Sequence, residues 1–128
     1  MTGSYPVDPV SFERWAVTAL GGHPLDHPVD AGIDGQVTTS DGSGSPGRVL
    51  IAAKAGGRYH PRMVRDLART VDSLDAERGV LVCVSPPPPA VYEAAARTGP
   101  TSADGLACVQ VLTAAEVAGG ERPDGTAA

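Results

Sequence analysis

A mixed α/β fold, a central sheet flanked by helices, is predicted by three observations on this 128-residue sequence. Apolar residues recur at helical spacing near the start and again from residue 61 onward. Two unbroken apolar runs, RVLIAA and GVLVCV, read as strands covered on both faces. These patterns then alternate along the chain, which puts a hairpin at the front and strand-helix-strand crossovers at the back. With 41% hydrophobic residues, the length allows one domain with a modest core.

Each element has a local reason. PVSFERWAVTAL (residues 9–20) sets Phe12, Trp15, Ala16, Ala19 and Leu20 on one helical stripe, with Ser11 as its expected cap and Gly21-Gly22 as its stop. GGHPLDHPVD is a proline-broken loop. GIDGQVTT reads as a turn feeding a short strand and RVLIAA as a second, with SDGSGSPG between them as a hairpin loop. Centring that loop near Ser43 places Asp34 opposite Ala52, and strand alternation then turns Asp34, Ala52 and Lys54 to one side.

PRMVRDLARTVDSLDAER carries Val64, Leu67, Val71 and Leu74 at helical spacing, with Pro61 suited to the first turn. Arg62, Arg65 and Arg69 fall on the opposite side of that helix. GVLVCVS is a buried strand, and Pro86 to Pro89 lead into a short helix, AVYEAAART, that stops at Gly99. LACVQVL is a last strand and TAAEVA a short helix capped by Thr113. The domain organisation is an N-terminal arm (1–9), one domain (10–119) and a disordered tail (120–128).

Composition excludes several classes of function. Cys83 and Cys108 lack a CxxC partner and read as small buried hydrophobes in a reducing compartment. No apolar stretch approaches a membrane span, and MTGSYPVDPV has no leader pattern, so a cytoplasmic location without membrane contact is expected. His23, Asp26, His27 and Asp30 mimic a metal cluster, but Pro24 and Pro28 break the helix that a zinc pair would need. No phosphate loop and no nucleophile elbow are present.

The net charge is −5, yet five of the ten basic residues (Lys54, Arg58, Arg62, Arg65 and Arg69) lie in the 16 positions from 54 to 69, against one acid, Asp66. A run of one sign favours an anionic partner, because a solvated face normally mixes signs. Lys54 is also the only lysine of the chain. A flexible point charge among arginines suggests a particular task.

GIDG (32–35), IAAK (51–54) with the AGG after it, MVRDL (63–67) and VQVLTAAEV (109–117) together resemble the Mrr-like restriction endonuclease domain of the PD-(D/E)XK nuclease superfamily. The likeness runs from about Phe12 to Gly120 and is closest to the version attached to site-specific DNA methyltransferases. It implies a restriction-endonuclease-like αβββαβ core and a Mg²⁺- or Mn²⁺-dependent endonuclease acting on DNA. Carried over by position, Asp34 is the metal-binding carboxylate, Lys54 the lysine beside the attacking water, Glu13 an extra acidic ligand and the Ala53 carbonyl a metal oxygen.

On the same grounds Arg58, Arg62, Arg65 and Arg69 grip DNA phosphates. The sequence departs from the family at Ala52, where relatives place Glu, Asp or Gln. The alternative expectation is therefore a catalytically impaired DNA-binding or partner-docking module of a restriction-modification system, with a methyltransferase as partner. Double-strand cutting by one small domain needs two sites, which points to a homodimer.

Overall fold

Eight elements follow in the order read from the sequence: α1 (Pro9–Ala19), β1 (Gly35–Thr39), β2 (Gly47–Lys54), α2 (Pro61–Ser73), β3 (Arg78–Cys83), α3 (Pro89–Ala96), β4 (Val109–Thr113) and α4 (Ala114–Ala118). They come from a computed structural model that describes residues 8–23, 33–39, 47–55, 58–99 and 108–121. The loops GGHPLDHPVD and SDGSGSPG and the tail beyond residue 121 lie wholly or mostly outside the described residues.

The strands form one sheet in the order β1-β2-β3-β4. β1 runs antiparallel to β2, with Val37 opposite Val49 and Gly35 opposite Ile51, in the register expected for a loop centred near Ser43. β3 and β4 add in parallel through the crossovers that contain α2 and α3. Among the described residues two strands precede α2, where the αβββαβ core has three. A single antiparallel bridge between His23 and Gln36 stands on the outer side of β1, where a third strand would pair.

Alternation along β2 and β3 sends side chains into two cores. Val49, Ile51, Ala53, Val80 and Val82 pack with Phe12, Ala16, Val17 and Leu20 of α1 and Val117 of α4. Leu50, Ala52, Leu81 and Cys83 pack with Val64, Leu67, Ala68 and Val71 of α2 and Val91 of α3. Burial pushes the Cys83 thiol up to about 12, which makes it an inert core group; both cysteines are free.

The two long helices start in the same way. α1 is capped by Asp8 and not by Ser11: the Asp8 carboxylate accepts the Ser11 N–H at 3.0 Å. Proline at the first helical position keeps the residue before it extended, and an extended residue with a side-chain acceptor is a cap. His60, before Pro61, does the same for α2 by accepting the Arg62 N–H at 3.1 Å through Nδ1. α2 ends short of the expected Arg78 because Asp75 turns left-handed, at φ 57°, and the chain leaves for β3. α4 begins, as expected, at Thr113, in a capping box with Glu116.

Local bonds cover part of both edges of the sheet among the described residues. On β1, His23 and Gln36 exchange backbone bonds of 3.0 and 2.9 Å. On β4, the outward N–H of Val109 donates to Thr98 Oγ1 and that of Thr113 to Glu116 Oε1, both at 2.9 Å.

α2 lies close over β3 because Gly79 has no side chain; a Cβ there would sit 2.9 Å from both Leu67 Cγ and Val71 Cγ2. Gly79→Ala is expected to cost about 1–3 kcal/mol by overpacking. Urea unfolding should show a lower midpoint with an unchanged slope.

Candidate active site

The site begins with a missing side chain. A Cβ on Gly35 would come 2.6 Å from Val17 Cγ1 and 2.8 Å from the His23 carbonyl oxygen, so only glycine lets α1 lie against the start of β1. Glu13 stands one turn before Val17 on the same helix face and overhangs the residue before Gly35, which is Asp34. The two acids line a cleft of about 420 Å³ together with Val10, Arg14, Val17 and Thr18.

Asp34 does not continue the ladder as the sequence register expects. Its N–H donates to the Ile51 carbonyl at 2.8 Å, the residue that Gly35 already faces, and not to Ala52. Two residues of one strand then oppose one of the other, as in a bulge, and the side chain of Asp34 turns toward α1. The expected common side for Asp34, Ala52 and Lys54 is thus corrected: Ala52 is buried under α2, on the other face of the sheet from the cleft, and Lys54, two residues on and opposite Cys83 of the same core, leaves β2 on that face as well.

The Asp34 carboxylate reaches β2 in a different way. Its Oδ2 accepts the Ala53 N–H at 2.7 Å. In a strand the N–H and C=O of one residue point the same way, so the Ala53 carbonyl faces the same edge. Burial raises the pKa of Asp34; the Ala53 N–H opposes the rise, Glu13 adds to it and Lys54 opposes it. The three side chains named from sequence, Glu13, Asp34 and Lys54, are therefore electrostatic neighbours at one end of β1 and β2.

Lys54 ends β2, half-buried. Arg58, Arg62, Arg65 and Arg69 are exposed, and α2 carries the last three away from the Lys54 end. At a 1.5 Å rise per residue, Arg62 and Arg69 are about 10 Å apart along the axis. Arg69 makes an exposed 3.7 Å ion pair with Asp66, which contributes little.

Two residues of the site were not singled out in the sequence. Arg14 follows Glu13 and lines the cleft, but a lone arginine on a helix carries no signal. Tyr59 bonds to the ends of two strands from a loop with no periodicity. His23 is the one described member of the group His23, Asp26, His27 and Asp30, and it serves as the backbone bridge to Gln36. Among the described residues no three His, Cys, Asp or Glu gather closely enough to hold a metal. Glu13 and Asp34 give the cleft two carboxylates, oxygen donors of the kind a hard cation takes.

A four-stranded mixed sheet flanked by helices is consistent with a restriction-endonuclease-like fold. The family model for the Mrr catalytic domain, described as restriction endonuclease, matches residues 7–117, and the chain belongs to that family. A restriction-type nuclease domain has DNA as its substrate. No curated protein and no solved structure matches the chain. Among the described residues no helix is long and apolar enough to cross a membrane.

Because the pKa of Asp34 is raised on folding, the native state binds the proton more tightly than the unfolded chain does. The stability linked to this group is complete below the ordinary carboxylate value of 3.8 and is lost as pH rises through the raised native value. Asp34→Asn, which keeps an acceptor for Ala53, should be more stable than wild type at pH 7, with the gain fading as pH falls through the raised native value toward 3.8. Thermal melts across that range measure it.

Proposed function

We propose that this domain hydrolyses DNA phosphodiesters with a divalent cation, Mg²⁺ or Mn²⁺, held by Asp34, Glu13 and the Ala53 carbonyl. The observation that carries the reading is the juxtaposition of Glu13 and Asp34 in one cleft beside Lys54. A bound cation would supply Lewis-acid stabilisation and water of lowered pKa. It would also offset the crowding of two acids that raises the Asp34 pKa. Lys54 offers its ammonium to the charge that grows on the phosphate oxygens. Arg58, Arg62, Arg65 and Arg69 hold backbone phosphates on the α2 side of the domain.

A second reading, a DNA-binding or docking module without turnover, is favoured by one observation. Ala52 replaces the family acid and is buried beneath α2, so that strand provides no carboxylate to the cleft. Both readings are compatible with a methyltransferase partner in a restriction-modification system, and a homodimer would supply the two sites for double-strand cutting.

Plasmid nicking in Mn²⁺ separates the readings. Nicking is expected in wild type and should fall about a hundredfold in Lys54→Ala and in Asp34→Asn, the scale of removing one group that stabilises the transition state. Equal nicking by wild type and Lys54→Ala would reject the assignment, and no nicking by wild type would favour the module. Ala52→Glu should not raise activity. It should lower stability by at least about 2 kcal/mol, because the added carboxylate would enter an apolar core.

Charge reversal of Arg62, Arg65 and Arg69 tests the DNA interface. The slope of log affinity against log salt should flatten by roughly 0.9 for each phosphate that an arginine no longer neutralises. An unchanged slope in a filter-binding titration would remove α2 from the interface.

A further inference from the structure

The ends of β2 and β3 are joined through a side chain. Lys54 stands opposite Cys83 in the parallel ladder, so the next rung would run from the Val84 N–H to the Lys54 carbonyl. Instead the Tyr59 hydroxyl accepts the Val84 N–H at 2.9 Å and donates to the Lys54 carbonyl at 2.9 Å. One rung has become a two-bond relay, and the strands part by the width of an oxygen atom at the residue that carries the ammonium.

The Tyr59 ring packs against the α2-side core, which restricts where its hydroxyl can stand. Burial raises the Tyr59 pKa, so the hydroxyl stays protonated and can both donate and accept at neutral pH.

We propose that Tyr59 is a positioning residue for Lys54: by replacing the last rung between β2 and β3, it sets the backbone direction at Lys54 and so where its side chain leaves the end of the strand. The inference rests on the role proposed for Lys54. The chemistry fits the geometry, because a carbonyl held by a hydroxyl cannot swing back to close the ladder. The direction of the Cα–Cβ bond then sets the face on which the side chain leaves the strand. Tyr59→Phe keeps the ring and its packing while removing the relay, after which Val84 N–H and Lys54 C=O can meet directly.

Because Lys54 is the only lysine, reductive methylation with ¹³C-formaldehyde places one lysine signal in the spectrum, beside that of the N-terminal amine. In Tyr59→Phe the Lys54 signal should move at fixed pH while the melting temperature changes little. Manganese-dependent nicking should drop about tenfold in kcat, with KM within about twofold, the pattern of a group held out of place and not of weakened binding. An unmoved Lys54 signal, or an equal drop in kcat in a Phe variant whose signal is unmoved, would overturn the proposal.

The signal reports on Lys54 whether or not wild type cuts DNA. A moved signal in a protein that never nicks would therefore reject the nuclease reading and keep the positioning role. Should Tyr59→Phe not fold, hydrogen exchange on wild type decides: the Val84 amide, one residue beyond β3, should be protected, and rapid exchange there would overturn the relay.

Discussion

β2 has to serve two unlike neighbours at once. It pairs antiparallel with β1 and parallel with β3, and it is buried on both faces, so its backbone groups have no recourse to water. Where the neighbours part company, at Ala53 and Lys54, side chains take their place. The Asp34 carboxylate accepts the Ala53 N–H on one side, and the Tyr59 hydroxyl donates to the Lys54 carbonyl on the other. The candidate site is the region in which a sheet stops and its polar groups are satisfied by residues that also have chemistry to offer.

The same logic explains why the carboxylate is costly to keep. Asp34 is drawn under α1 by the missing Cβ of Gly35, loses water and meets Glu13, and one backbone amide only partly compensates. Functional sites commonly sacrifice stability in this way. The charge distribution has a matching division of labour: an acidic chain places three of its nine arginines on α2, whose apolar side is committed to the core. Anions are attracted to one helix face and repelled from much of the remaining surface.

Much of this was legible in the sequence, since apolar spacing and loop length are local signals. Val64, Leu67 and Val71 marked α2, Thr113 with Glu116 marked the start of α4, and the hairpin composition set the β1-β2 register. Glu13, Asp34 and Lys54 came from motif order; Glu13 and Asp34 line one cleft, and Lys54 lies within electrostatic reach of Asp34. The side to which Asp34 turns was not readable, because it depends on a single bond to Ile51 in place of Ala52. Nor was Tyr59, whose two partners are five and twenty-five residues away and whose own segment has no pattern. Asp8 in place of Ser11 as the cap was readable in principle from the Pro9 that follows it.

The partly covered edges of the sheet bear on how its connections are used. His23 is seated on β1 at Gln36, and Thr98 and Glu116 hold the outward amides at both ends of β4, so among the described residues each border has some of its open rungs covered. The covering groups come from a loop, from the turn after α3 and from the start of α4, so the turns that end the helices also shield backbone groups of the sheet.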